Sequence, residues 1–217
     1  MSRTHQSKTE RQTKAASIAA TLPDDRAELM DAAAEAIRQF DAAIVGCDDE
    51  AAYAARDKYE AVIWKLNGSS FFGTKAHTDA PGYQVERHCA ATPGTVPLWG
   101  QKGEFLVTVD GIRAVVEFGD GYGSMYAHFA FHAVDLDLPF ISETGYRSHF
   151  TPVMGGMTVD EAAEAIMKAI LAETGRVLIK RDSRRLCEGR EARAWLDYTA
   201  PVQFTYEERT GQIAFGF

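Results

Sequence analysis

Residues 135–150 read DLDLPFISETGYRSHF and gather more chemistry-bearing side chains than any other stretch of the chain. Asp135, Asp137 and Glu143 bring carboxylates, Ser142 and Ser148 hydroxyls, and Tyr146, Arg147 and His149 follow closely. Just upstream, Tyr126, His128 and His132 stand at even spacing within SMYAHFAFHAV. On a strand, that spacing puts them on one face. Three chemistries fit these residue types, and a well-tied turn is the alternative to all three.

The first is metal binding, because imidazole with carboxylate suits zinc, iron or manganese. Its difficulty is reach: residues four apart on a strand stand roughly 13 Å apart at about 3.3 Å each. His128 and His132 could share one ion only if the strand bent. No strong metal motif is present, and no metal or cofactor is assigned. The second is nucleophilic chemistry, with Ser142, Cys89 or Ser148 paired to a histidine. However, ISETG is not the G-x-S-x-G elbow, and RHCAAT matches no nucleophile signature. The third is recognition. Arg147 offers a planar fork for carboxylate or phosphate, and Tyr146 a rigid amphipathic surface. The candidate binding residues are therefore Tyr126, His128, His132, Glu143, Tyr146, Arg147 and His149. On the tied-turn reading, Arg147 instead pairs with Asp135, Asp137 or Glu143.

The elements that must position these residues are legible in part. EFLVTVDGIRAVVEFG carries a two-residue Asp110-Gly111 turn between apolar runs, the signature of a type I′ hairpin. Pairing Val109 with Ile112 also pairs Val107 with Ala114 and Phe105 with Val116, all on one face. The other face mixes Leu106 and Val115 with Glu104, Thr108, Arg113 and Glu117. Residues 124–134 predict a third strand, with Met125, Ala127, Phe129, Phe131 and Ala133 on its apolar side. TVDEAAEAIMKAILAETG predicts a helix with a Thr158/Glu161 capping box and a Gly175 stop. Val159, Ala162, Ile166 and Ile170 form its apolar stripe, widened by Ala163 and Ala169. A short strand at 176–180 and a closing hairpin over 202–217 complete the expected set.

Ahead of these, Leu29, Ala33, Ile37, Phe40 and Ile44 recur at helical spacing over 24–45. A second helix at about 49–66 follows after a very short connection, so the two should run antiparallel. Residues 1–20 contain few large apolar side chains and predict a mobile basic arm. Residues 68–103 show little periodicity and predict a long irregular connection with one strand near 83–87. The expected fold is α+β: an antiparallel sheet of about five strands, an N-terminal antiparallel helix pair, and one further helix on the sheet. The expected organisation is an arm at 1–20, a helical hairpin at 21–67 and an α+β domain at 68–217.

Composition narrows the classes. Of 217 residues, 46% are hydrophobic and 25% charged, an ordinary globular balance. No apolar run approaches the roughly 20 residues of a membrane span, and the N-terminus lacks the apolar core of a secretory signal. The expected location is cytoplasmic, with no membrane partner. Three scattered cysteines argue against a disulfide framework. The formal charge of −8 is segregated. Residues 24–60 hold eleven acids against four bases, whereas 176–193 hold seven bases against three acids. That basic segment, with Lys180, Arg181, Arg184 and Arg185 at its centre, is the candidate nucleic-acid contact, and the arm could add to it. A solvated basic face balancing the acidic helices is the alternative. The helices themselves could dock on a basic partner or simply confer solubility.

The segment LDLPFISETGYRSHF resembles a stretch of uncharacterised accessory proteins of bacterial plasmids and integrative elements. The resemblance implies a mobile-element protein, where regulation, conjugation control and anti-defence are common tasks. It implies no reaction and no site. The functional expectation is a non-enzymatic accessory or regulatory protein that binds a protein or nucleic-acid partner. The alternative is a small metal-dependent hydrolase or nuclease using the 128–149 region.

Overall fold

The computed structural model describes residues 8–120, 125–188 and 193–198. The chain divides into two compact units. Unit 1 comprises residues up to Ala90 with 98–102 and 154–156; unit 2 comprises 91–97, 103–153 and the residues from Met157 onward.

Unit 1 is helical. Helices α2 (Arg26–Val45) and α3 (Asp49–Leu66) are the expected pair. Asp25 caps α2 by accepting from the amides of Ala27 and Glu28, and Asp48 caps α3 by accepting from Ala51. These carboxylates satisfy amides that have no partner within the helix and oppose the positive dipole end. Leu29, Ala33, Ile37, Phe40 and Ile44 are all buried, as their spacing requires.

Two parts of unit 1 differ from expectation. Within the expected arm, Lys8–Ala19 form helix α1, with Ala15 and Ala19 buried. Alanine methyls let one helix approach another closely, and α1 packs on α3 with Ile18 as its one large apolar side chain. Ion pairs from Arg11 to Glu60 and from Lys14 to Asp57 flank that contact. The segment read as a strand near 83–87 is instead helix α4 (Pro81–Cys89). Proline at its start suits the first helical turn, which needs no amide there. Val85 and Cys89 join Leu29, Ala33, Ile37 and Val62 in one apolar cluster.

Unit 2 is built on an antiparallel meander of four strands, β1 (Gly103–Val109), β2 (Ile112–Asp120), β3 (Tyr126–Ala133) and β4 (Tyr146–Pro152), in that order. The first hairpin has the expected register, Val109 with Ile112, Val107 with Ala114 and Phe105 with Val116. Asp110 and Gly111 both take positive φ, 49° and 79°, as a type I′ turn demands. Among the described residues, four strands stand where about five were expected. Residues 83–87 are helical, Val177 makes only an isolated bridge to Phe140, and 202–217 lie outside the described residues.

Phe105, Val107, Val109, Ile112, Ala114, Val116, Phe118, Ala127, Phe129 and Phe131 form the buried back face of the sheet. Helix α5 (Val159–Thr174) carries the expected capping box and packs beside β1. Met167 joins its buried stripe, whereas Ala169 is exposed. A short helix α6 (Arg181–Glu188) follows.

Val107 is 4% exposed in the middle of this apolar face. Val107→Asp is expected to cost roughly 3–5 kcal/mol, since a carboxylate there has no partner. Loss of the cooperative thermal transition, followed by circular dichroism, checks this; a mutant that melts like the parent would refute the face assignment.

Candidate functional site

The stretch 135–150 resolves into a tied turn and a strand. Phe140 and Val177 exchange backbone hydrogen bonds of 2.8 and 2.9 Å, and the Lys180 amide donates to the Glu143 carbonyl at 2.8 Å. The Thr144 amide donates to Ser142 Oγ, and Gly145 takes φ +68° to reverse the chain. Each carboxylate has a cation. Asp135 receives Arg113, Asp137 receives Arg184 at 2.7 Å, and Glu143 receives Lys180 at 2.6 Å. Arg147 is not the residue that ties this turn. It stands in β4, exposed, with Phe131 as its backbone neighbour.

The pleat divides the expected patch. His128 lies opposite Phe150, Ala130 opposite Ser148, and His132 opposite Tyr146. Tyr126, His128, His132 and Tyr146 therefore share the front face with Ser148 and Phe150. Arg147 and His149 alternate to the back face, and Glu143 remains in the turn. Successive strand residues must point to opposite sides. Arg147 therefore cannot join a pocket with His128 or His132, because β4 pairs in this register.

On the front face, His128 Nε2 and Ser148 Oγ form a 2.8 Å hydrogen bond, and the imidazole stacks on Phe150 with centroids 4.2 Å apart. His132 Nε2 lies 3.3 Å from Glu117 Oε1, and its ring tilts against Tyr146. Arg193 donates to Glu104 at 2.7 Å and to Glu117 at 2.8 Å, while Trp195 Nε1 donates to Glu104 at 2.6 Å. Tyr126, Tyr146 and Phe150 are 39%, 37% and 43% exposed, leaving an aromatic surface at this edge. Burial lowers the His128 pKa, and Glu117 opposes that only in part. Burial and the nearby Arg147 cation lower that of His149. Glu117 was visible in the sequence as a front-face residue of the hairpin. Its approach to His132, like that of Arg193 and Trp195, depends on contacts between distant segments. Among the described residues, no group of three or more His, Cys, Asp or Glu side chains could hold a metal ion.

Among the described residues, most bases of the basic segment are committed to internal pairs. Besides Lys180, Arg184 and Arg193, Arg176 donates to the Asp110 carbonyl at 3.0 Å. Arg181 is exposed, and the side chain of Arg185 lies outside the described residues, as does Arg190.

Unit 1 offers a second cationic surface on α4 and the connection leading to it. Lys75 and Lys102 both reach Glu86, at 2.6 and 2.7 Å. Burial pushes the Glu86 carboxyl up, but the hydrogen bonds from Lys102 and Lys75 outweigh it and hold the group below its ordinary value. Arg87 donates to the Thr78 carbonyl at 2.7 Å, and Arg26 hydrogen-bonds Gln84. All four cations are exposed.

Comparison with known proteins separates these surfaces. Residues 14–88 match the family model described as the KlcB N-terminal DNA-binding domain, and residues 102–202 match the KlcB third domain. Two curated relatives from Escherichia coli, each named Protein KlcB, are 50% identical over 187 residues and 55% identical over 172 residues. The alignments cover 86% and 78% of this chain but 40% and 43% of the relatives, so the chain spans less than half their length. No solved structure matches. The DNA-binding description thus falls on the helical unit and not on the basic segment at 176–193.

The histidines generate a pH prediction. The folded values of His128 and His149 lie below the ordinary 6.5, so their contribution is complete above that value and is lost as pH falls through the lowered ones. The melting temperature is expected to drop between about pH 7 and about pH 5, before most carboxylates titrate. His128→Gln should flatten that drop in a melting series; an unchanged profile would exclude His128 as a contributor.

Proposed function

Starting from two units that each match a KlcB domain model, we propose that this protein is a non-enzymatic accessory factor of a bacterial mobile element that binds duplex DNA through unit 1. The observation that carries the reading is the coincidence, within one unit, of the DNA-binding-domain match and the exposed cations around α4. Residues 14–88 hold eight Lys and Arg against thirteen Asp and Glu, so net charge does not draw DNA to the unit as a whole. Local charge must do so. From 67 to 90 the bases Lys75 and Arg87 match the acids Asp79 and Glu86 in number, and His77 and His88 add donors. Arg26 and Lys102 extend this region from neighbouring segments.

The Arg87–Asp79 pair is exposed on both sides and therefore weak, so exchanging that carboxylate for a phosphate costs little. Glu86 is largely buried and holds two lysines, so Lys75 can turn to a phosphate while Lys102 keeps the carboxylate paired. α4 is a short helix whose buried side is Val85 and Cys89, while Arg87 and His88 face solvent. A helix presented this way suits contact with phosphates or with the edges of bases. No helix among the described residues is long and apolar enough to cross a membrane.

The reading is tested by equilibrium binding to labelled duplexes at low and near-physiological salt. Affinity should fall steeply with salt, with a slope of about 0.9 per phosphate contact. The triple variant Arg26→Ala, Lys75→Ala, Arg87→Ala should weaken binding about tenfold or more and flatten that slope. Lys180→Ala with Arg181→Ala should bind as the parent does. No complex at low salt would eliminate the reading, and a loss confined to the second variant would move the interface to unit 2.

A further inference from the structure

The connection between α3 and α4 presents one side chain in an unusual way. Phe72 is 93% exposed, more than any other large hydrophobic residue described. Its backbone is nevertheless held tightly. Asn67 Nδ2 donates to the carbonyls of both Ser70 and Phe72, at 2.7 and 2.9 Å. The Phe72 amide donates to Ser70 Oγ at 3.0 Å, and the Ser69 amide returns to the Trp64 carbonyl on α3 at 3.0 Å. Beyond the ring, Gly73 takes φ +75° and turns the chain back. The Gly82 amide then docks the loop on α4 through the Thr74 carbonyl at 2.8 Å. A side chain that merely fails to find a core does not need a platform of this kind.

Cations stand at the loop that carries the ring. The Arg11 guanidinium lies 4.1 Å over the adjacent Phe71, and Lys75 follows three residues on. An apolar ring projecting from a hydrogen-bonded loop, with cations nearby, matches what duplex DNA requires of an inserted wedge. The ring fills the gap opened between two base pairs, and the cations meet the phosphates beside it. A buried ring could not reach the stack, and a loosely held one would lose too much freedom on insertion.

We propose that Phe72 is a wedge that enters between adjacent base pairs and kinks the duplex when unit 1 binds, with Arg11 and Lys75 on the neighbouring phosphates. This rests on the DNA-binding reading above. It adds that the protein deforms DNA, and that easily unstacked pyrimidine–purine steps are preferred.

The test uses the full chain and a duplex labelled at both ends. At saturation, energy transfer between the ends should rise, and permanganate should react with thymines that are protected in free DNA. Phe72→Ala should abolish both signals and weaken binding about tenfold, because a stacked aromatic is lost. Its salt slope should not change, because no charge is removed. Phe72→Trp should restore both signals. A parent protein that binds with the expected salt slope but neither bends nor unstacks the duplex would overturn the wedge and leave the DNA reading standing. No binding at low salt would overturn both. Self-association of the protein alone, measured by sedimentation and lost in Phe72→Ala, would also overturn it by assigning the ring to a second copy.

Discussion

Unit 2 depends on the burial of one cation. Arg113 is 5% exposed, and its guanidinium meets both oxygens of Asp135, at 2.9 and 2.5 Å. It also donates to the carbonyls of Asp197 and Tyr198, at 3.1 and 3.2 Å. A buried guanidinium without such partners would be strongly destabilising, and two parallel bonds to a carboxylate match its planar fork. Its hydrogen bonds to Asp135 raise its already high pKa, so it stays charged. Through this one group, β2 grips the turn after β3 and the segment 193–198. Leu196 then packs against Val115 and Val134 on the same side.

The polar wealth of the 135–150 stretch is explained by that grip. Asp135, Asp137 and Glu143 each receive a cation from elsewhere in unit 2. Their task is to hold the chain in place while it turns from β3 into β4. Pairs such as Lys180 with Glu143 are exposed and contribute little individually. The backbone bonds between Phe140 and Val177 and the buried Phe140 and Ile141 side chains do more. Two pairs, Lys180 with Glu143 and Arg184 with Asp137, thus join the basic segment to the acidic turn.

Unit 1 combines a match to a DNA-binding domain with an acidic composition. The acids crowd the ends and exposed positions of α2 and α3, where Asp25 and Asp48 also cap helices. Such a distribution is unfavourable to a polyanion over most of α2 and α3, and on the DNA-binding proposal it would favour approach from the α4 side. Segregated charge can thereby orient a complex even when the net charge opposes it.

What the sequence determined by itself was everything set by short-range rules. The β1–β2 register followed from Asp110-Gly111, because a two-residue turn leaves only one alignment of the flanking strands. Helices α2, α3 and α5 followed from apolar spacing with capping residues at their starts. Helix α4 was obscured because its buried positions include glycine and cysteine, which give a weak periodic signal, although Pro81 marked its start. Helix α1 was obscured because it packs through alanines. Only the tertiary structure decided which side of the sheet each residue of β4 faces. Its partner is β3, across a connection of a dozen residues, and pairing at that distance is set by the tied turn and not by local pattern. That register separates Arg147 and His149 from His128 and His132, and it brings Ser148 to His128.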